Sequence, residues 1–211
     1  MIVAHTDDET LGGGATFAKF AARGWTVDVV IVADGVLTMR PTVQDNRRCA
    51  EAACALLGIS APTFLGFPDQ RFDTVAVADV ARAISELDLD ADVVFTHDDG
   101  DLNMDHRVVA DAVKVATRPT TRRSASLIGI EVPGTSIWRG SPFVPNLYVD
   151  VTRELERKVK AFRCYPSEQK APGTPQSAEG IRTLARYHGM NSGSEHAEAF
   201  RLVRGYLDCL H

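Results

Sequence analysis

The feature that most constrains the fold is an alternation of short apolar runs with stretches of helical periodicity along the first two-thirds of the 211-residue chain. Apolar, β-branched runs predict strands, and apolar residues three or four positions apart predict helices. The predicted strands cover residues 1–4, 26–33, 62–65, 92–96 and 126–131, and the predicted helices cover residues 11–22, 46–57, 75–87 and 105–117. This β-α-β-α order is typical of a mainly parallel sheet joined by right-handed crossovers.

After Pro133 the pattern changes. The sequence predicts loops over 138–145 and 166–176, a strand over 147–151, and helices over 153–165, 180–187 and 197–207. There is no internal repeat and no linker long enough to separate a second domain. We therefore expect one α/β domain over residues 1–211, with a mainly parallel sheet flanked by helices.

Composition and charge argue against several classes of protein. The net charge is −5 and no basic stripe is present, so we expect no nucleic-acid partner. No apolar run approaches the roughly 18 residues of a membrane span, and the N-terminus lacks the basic and apolar regions of a signal peptide. The four cysteines, Cys49, Cys54, Cys164 and Cys209, form no CxxC pair, which argues against a zinc knuckle or a disulfide framework. We expect a cytoplasmic protein.

Two polar clusters each follow a predicted strand. Residues 5–9 read His-Thr-Asp-Asp-Glu, and residues 97–106 carry four acids or imidazoles before an Asp-His pair at 105–106. The carboxyl ends of parallel strands meet at one edge of a sheet, where α/β proteins bind their ligands. Histidine and aspartate are also ligand types of divalent metal ions. The two clusters therefore predict a metal site at this edge.

We expect His5, Asp8 and His106 to be the metal ligands. Two imidazole nitrogens and one carboxylate oxygen leave a coordination position for water, and zinc suits this donor set, with iron(II), manganese and cobalt as alternatives. A water molecule activated in this way attacks amide or ester carbonyls. Asp7 is then a candidate general base, and Asp105 a candidate to orient an imidazole from behind.

Less specific interpretations of the same residues are also open. Asp105 can serve as an N-cap of the helix that His106 begins, and Asp98, Asp99 and Asp101 can form a solvated acidic turn. The glycines at 12–14 match neither a dinucleotide fingerprint nor a P-loop, so close packing of a helix is their expected use.

The residues of both clusters resemble the motifs of a known family. Ala4 to Glu9, AHTDDE, is similar to the AHPDDE signature of the PIG-L/LmbE-like metal-dependent deacetylases, and a glycine-rich turn follows as it does there. Residues 100–107, GDLNMDHR, resemble the family's second motif. Further similar segments are Arg48 with Glu51, Phe64 to Asp69, Glu131 to Pro133, and Ala197 to Phe200.

The resemblance implies a Rossmann-like fold whose C-terminal elements close the site, and a hydrolase that removes acetyl groups from N-acetylglucosamine-type amino sugars. By position, His5, Asp8 and His106 match the zinc ligands and Asp7 matches the general base. Glu9 matches a residue that supports the metal loop. Arg48 lies where the family often has a substrate-contacting arginine.

The chain departs from the family pattern at two positions. Thr6 replaces the usual proline, which removes no reactive group. Asn103 replaces a histidine that polarises the carbonyl in many members, and losing one such donor typically costs about 2.7–4 kcal/mol. We expect Asn103 itself or His97, at the end of its strand, to take over this role.

Several C-terminal side chains are further candidates for contact with substrate. We expect His188 and His196 to be surface residues, while Tyr165 and Tyr187 are candidate acids or sugar-stacking groups and Trp138 a candidate wall of a carbohydrate site.

The sequence predicts a zinc-dependent N-deacetylase that acts on a small amino-sugar substrate. The exposed faces of its fold are compatible with a homo-oligomer. A related amidase that cleaves a thiol-sugar or a longer N-acyl conjugate is the first alternative. A non-catalytic metal- or sugar-binding module is the second, and Asn103 is the residue that favours it.

Overall fold

The computed structural model describes residues 1–37, 44–119, 125–138, 140 and 142–206. Within this part the helices are α1 (Asp8–Ala22), α2 (Arg47–Leu57), α3 (Val77–Glu86), α4 (Met104–Ala116), α5 (Leu155–Phe162) and α6 (Ala178–Ser192). The strands are β1 (Ile2–Val3), β2 (Val30–Ala33), β3 (Val36–Leu37), β4 (Gln44–Asp45), β5 (Thr63–Phe67), β6 (Val93–His97), β7 (Ser126–Ile130), β8 (Leu147–Asp150) and β9 (Ala197–Arg204). A 3₁₀ turn covers Phe72–Thr74.

The strands form two groups that adjoin at β1 and β6. β1, β2 and β5 pair in parallel, and β6 pairs in parallel with β7. β1 lies against β6, which gives the order β5-β2-β1-β6-β7-β9-β8 across the molecule. The chain moves from β1 outward to β5 and then returns to the other side of β1, so the order reverses between β1 and β6. Ligands of open α/β sheets bind in the crevice at such a switch point.

The α/β fold with a parallel core is confirmed, whereas the closing helix predicted over residues 197–207 is wrong. Ala197–Arg204 is strand β9, which pairs antiparallel with β7 on one side and β8 on the other. Alanine and glutamate at 197–199 favour a helix, but pairing on both edges outweighs this local preference. The small β3–β4 ribbon was not predicted from the sequence, and Leu207 lies outside the described residues.

Two glycines have conformations or contacts that a residue with a side chain would disturb. Gly58 ends α2 with a left-handed φ of 77°, a conformation that glycine adopts without strain. A Cβ at Gly12 would overlap with Cδ1 of Ile130, so α1 approaches β7 too closely for a side chain here unless Ile130 moves. The glycine run therefore serves close packing of a helix, which seats the start of α1 on the sheet.

The helices cover the sheet in two packed groups. α1, α2 and α5 contact one another, and α3 packs along α4. Their apolar faces and the strands enclose a core that includes Val3, Ile31, Leu57, Val113 and Phe200. No helix in the described part of the chain is long and apolar enough to cross a membrane.

Candidate metal centre

The loop between β1 and α1 is held by its own side chains. The backbone N–H of His5 donates to Asp8 Oδ2 at 2.8 Å, and the N–H of Asp7 donates to Glu9 Oε2 at 3.0 Å. Asp7 occupies the left-handed region with a φ of 96°, which costs on the order of 1 kcal/mol or more for a residue with a side chain. The strained backbone at Asp7 keeps the side chains of Asp7 and Asp8 at the mouth of the crevice.

His5, Asp8 and His106 bring three ligand atoms together. His5 Nδ1 lies 3.2 Å from His106 Nε2 and 3.5 Å from Asp8 Oδ2, and the third edge, His106 Nε2 to Asp8 Oδ2, is 3.4 Å. All three side chains are buried. The loop after β1 and the first turn of α4, next to the end of β6, therefore meet as the two sequence clusters predict.

The dimensions of this triangle fit a tetrahedral ion. Zinc bonds to nitrogen and oxygen of about 2.0–2.2 Å place the ligand atoms of a tetrahedral site about 3.3–3.6 Å apart. The three measured edges, 3.2–3.5 Å, lie at this spacing. A cluster of His5, Asp8 and His106 can therefore hold a metal ion through one oxygen and two nitrogens.

Further carboxylates surround the imidazoles. Asp105 Oδ2 lies 3.0 Å and Asp69 Oδ1 3.7 Å from Nε2 of His5, while Asp101 Oδ1 lies 3.2 Å from Nδ1 of His106. Asp105 thus lies behind His5, where its carboxylate can orient this imidazole. The alternative interpretation of Asp101 as a member of a solvated acidic turn does not fit, because its side chain is buried behind the other imidazole.

The electrostatics of this cluster favour a cation. Burial alone lowers the pKa of His5, but hydrogen bonds to Asp105 and Asp8 outweigh it and raise the pKa to about 10. Buried carboxylates are normally paired with cations or coordinate metals. The excess of buried acid around His5 is the charge pattern that a divalent ion would neutralise.

Glu9 supports the loop from below. Its carboxylate is fully buried, and it accepts hydrogen bonds from the Tyr165 hydroxyl at 2.6 Å and the Thr10 hydroxyl at 2.5 Å, besides the Asp7 amide. The Tyr165 side chain is fully buried against this carboxylate and does not line the pocket. This position does not fit its predicted role as an acid or sugar-stacking group.

A pocket of about 260 Å³ opens above the ligand triangle. Its lining residues are His5, Thr6, Asp7, Asp8, Leu37, Asp69, Gln70, Asn103, His106, Val132, Thr135, Glu168 and Gln176. Glu168 and Gln176 come from the loop before α6, so C-terminal elements do close the site. Asp7 lies in this pocket, where burial and the neighbouring Asp8 raise its pKa well above the usual value of a carboxyl. A carboxylate with a raised pKa holds a transferred proton more readily.

Asn103 lies at the rim of the pocket as the N-cap of α4. Its Oδ1 accepts a hydrogen bond from the Asp105 amide at 2.9 Å. With the oxygen used in the cap, the amide nitrogen has no hydrogen-bond partner among the described residues. Asn103 therefore keeps two N–H groups available beside the triangle, while the cap fixes the side chain.

His97 lies behind the ligands and does not line the pocket. Its ring stacks on that of His106 at 3.9 Å, and its Nε2 accepts the backbone N–H of Ala4 at 2.9 Å. Burial and the neighbouring His106 lower the pKa of His97 to about 4. The prediction that His97 polarises a carbonyl does not fit this placement, because its ring packs the ligand His106 from behind.

Arg48 is exposed on the first turn of α2 and does not line the pocket, so the geometry lends no support to its assignment as a substrate contact. Gln70, which was not predicted as a site residue, places its Nε2 3.2 Å from Nε2 of His5. Its neighbour Asp69 ends the segment 64–69 that resembles the family, which was the available signal.

The remaining C-terminal candidates lie outside the pocket. His188 is buried rather than exposed, and its Nε2 lies 2.6 Å from Oε2 of Glu131. The prediction of a surface histidine is wrong here because α6 packs on the sheet edge through this residue. His196 is half-buried, and Tyr187 and Trp138 are exposed.

Comparisons with known proteins find relatives of similar sequence and a solved structure of similar fold. A diacetylchitobiose deacetylase from Thermococcus kodakarensis is 26% identical over 95% of this chain and 81% of its own length. A protein of Escherichia coli (strain K12), described as an uncharacterized deacetylase, is 29% identical over 72% of this chain and 81% of its own length. A conserved protein from Thermus thermophilus, known from its crystal structure, superposes with a TM-score of 0.76 at 26% identity, covering 98% of this chain and 94% of that one.

The family model described as PIG-L, GlcNAc-PI de-N-acetylase, matches residues 1–117. This match contains β1, the metal loop and α4, and thus all three residues of the ligand triangle. Since it covers more than half of the 211 residues, the chain belongs to the PIG-L family of deacetylases.

Proposed function

We propose that this protein is a zinc-dependent hydrolase that removes the N-acetyl group from a small N-acetylglucosamine-type substrate. The observation that carries the proposal is the buried triangle of His5, Asp8 and His106 beside Asp7 in one small pocket. The names of the relatives support the substrate class, since one of them is a diacetylchitobiose deacetylase.

Each side chain of the pocket has a separate role in the proposed reaction. A divalent ion held by the triangle supplies a Lewis acid and lowers the pKa of water. The Asp7 carboxylate accepts the proton that water loses as it attacks the acetyl carbonyl, and then delivers this proton to the departing amine. The Asn103 amide nitrogen donates a hydrogen bond to the carbonyl oxygen as negative charge develops there.

Zinc is the ion that we propose, because its tetrahedral geometry and mixed nitrogen and oxygen ligands match the donor set. Iron(II), manganese and cobalt bind comparable sites, so the metal should be varied in any test.

The size of the pocket favours a small acyl group. At about 260 Å³ it lies just below the usual range of ligand sites, about 300–1,000 Å³. An acetamido group on a single sugar ring suits this space better than a long N-acyl chain. A series of N-acyl glucosamines of increasing chain length tests this step, and equal rates for acetyl and octanoyl would favour the alternative amidase.

The decisive experiment compares the wild type with Asp8→Ala and Asp7→Asn. Elemental mass spectrometry measures bound metal, and a fluorogenic amine reagent measures deacetylation of N-acetylglucosamine and diacetylchitobiose. We expect about one ion per wild-type chain, loss of the ion in Asp8→Ala, and retained metal with lost turnover in Asp7→Asn.

Two outcomes would contradict the proposal. A wild type that binds no metal after reloading with each candidate ion lacks the proposed centre. A wild type that binds metal and releases no amine from any N-acetylated sugar would instead favour the non-catalytic binding module.

We further propose that the protein acts in the cytoplasm as a homo-oligomer. The free thiols of Cys49, Cys54 and Cys164 support the first part, because cytosolic proteins keep their cysteines reduced. Trp138, Val144 and Met190 are large apolar side chains that are each more than 60% exposed, and we propose that the assembly covers them. Light scattering across a range of protein concentrations measures the assembly, and a monomer at every concentration would contradict it.

A further inference from the structure

Helix α1, which begins with the metal ligand Asp8, is broken one and a half turns after that residue. Gly13 has a φ of −174° and a ψ of 17°, outside helical values. Such a break frees backbone groups that an unbroken helix would pair four residues apart. The buried carbonyl of Leu11 and the buried amides of Ala15 and Thr16 therefore need other partners.

A buried ion pair from the C-terminal part of the chain supplies those partners. Lys158 Nζ, on α5, donates to the Leu11 carbonyl at 2.7 Å. The carboxylate of Glu198, on β9, accepts the amide of Thr16 at 2.7 Å and that of Ala15 at 3.3 Å. Lys158 Nζ and Glu198 Oε1 lie 2.6 Å apart, and both side chains are about 93% buried.

The signs of the two charges match the two ends that the break creates. The ammonium of Lys158 lies at the carboxyl end of the first segment of α1, and the carboxylate of Glu198 lies at the amino end of the second. Each arrangement is the favourable one for a helix dipole. The pair thus fills the break in the helix, and it lies away from the pocket, whose lining includes neither residue.

The first segment of α1 carries the metal loop. Asp8 is its first residue, and the Asp8 carboxylate also holds the backbone of His5. The direction of this short segment therefore sets where two of the three corners of the triangle lie. A segment of five residues has too few internal hydrogen bonds to fix its own direction.

We propose that Lys158 and Glu198 are positioning residues, whose ion pair across the break in α1 holds Asp8 and His5 in metal-binding geometry. The inference rests on the metal site of the proposed function, and neither residue touches the substrate or the ion.

The test uses the cobalt-substituted full-length protein, because the visible spectrum of Co²⁺ reports ligand geometry without any need for turnover. The variant is the double substitution Lys158→Met and Glu198→Gln, which removes both charges and leaves no unpaired one in the interior. The glutamine introduced there retains an oxygen that can accept the Thr16 amide. The matched control is Arg182→Met with Glu156→Gln, which removes the exposed ion pair between α5 and α6.

We expect the double variant to fold, to shift the Co²⁺ absorption bands, and to bind Co²⁺ about tenfold or more weakly, the usual effect of disturbing groups behind metal ligands. The control pair should leave the spectrum and the affinity unchanged. A folded double variant with the wild-type spectrum and affinity would overturn the proposal.

A measurement on the wild type covers the case in which the double variant does not fold. Coupling between two sites is reciprocal, so metal binding should slow hydrogen exchange at the amides of Ala15 and Thr16 more than in the remote helix α3. Equal protection in both places would overturn the inference while the metal site stands. A wild type that binds no Co²⁺ would instead overturn the proposed function, and the inference with it.

Discussion

Asp101 offers the sharpest test of how the ligand triangle is built. Its side chain is buried, with Oδ1 3.2 Å from Nδ1 of His106 and Oδ2 accepting the hydroxyls of Thr135 and Ser136, each at 2.9 Å. A carboxylate on the far nitrogen of an imidazole fixes the ring and leaves the other nitrogen for the metal. We therefore expect Asp101 to contribute to metal affinity without touching the ion.

The substitution Asp101→Asn removes the charge and keeps the shape. Its amide nitrogen can face the two hydroxyls, which can turn to accept, while the remaining oxygen stays toward His106. Loss of such a partner typically weakens metal binding by about 10–100-fold. This corresponds to about 1.4–2.8 kcal/mol of binding free energy.

The assay is competition for Zn²⁺ between the protein and a chromophoric chelator, with melting curves to verify the fold. Asp99→Asn is the control, because Asp99 lies two residues away in a partly exposed pair with Lys114 and its loss changes the net charge equally. The control should bind Zn²⁺ like the wild type. An Asp101→Asn variant that binds Zn²⁺ with wild-type affinity would refute this reasoning, because orientation of His106 by the carboxylate would then not contribute to metal binding.

Three further predictions test other parts of the structure. Asp7→Asn should lower kcat by about 10²–10⁴ with KM little changed, as for the loss of a general base, and normal turnover would exclude Asp7 from that role. Gly12→Ala places a Cβ in overlap with Cδ1 of Ile130 and should lower the free energy of unfolding by about 1–3 kcal/mol. Ile130→Val removes that Cδ1 and should restore part of the loss, whereas additive losses in a denaturant-unfolding cycle would contradict the contact. Tyr165→Phe removes a hydrogen bond to the buried Glu9 carboxylate and should cost about 1.5–3 kcal/mol. Each kcal/mol should lower Tm by about 2–4 °C, and an unchanged Tm would show that the bond adds nothing.

The local pattern of the sequence was enough to predict the parallel part of the sheet and its helices. Apolar β-branched runs and helical spacing predicted β1, β2, β5, β6 and β7 and the helices α1 to α4, because each element buries one face in a regular way. The same reasoning failed at β9, where Ala197, Glu198 and Ala199 favour a helix. A strand paired on both edges is stabilised by residues distant in sequence, and no local pattern contains that information.

The residues of the candidate site were also only partly predictable from the sequence. His5, Asp8 and His106 could be proposed as ligands because each follows a strand, and strand ends converge at one edge of a sheet. The partners behind them were harder to assign. Asp101 and Asp105 occur in one acidic stretch, and only the path of the loop decides that Asp101 lies beside His106 and Asp105 beside His5.

The hydrogen bonds of Glu198 join distant parts of the sequence, and this separation sets the order in which parts of the fold can form during synthesis. The Glu198 hydrogen bonds to Ala15 and Thr16 join residues 183 and 182 positions apart. The parallel strands and their helices can assemble while the ribosome is still translating the C-terminal third. The break in α1, however, stays open until β9 has emerged and inserted between β7 and β8. A nascent chain halted before β9 would therefore have an unfinished first helix, and under the proposal above we expect metal-binding geometry only after β9 has inserted.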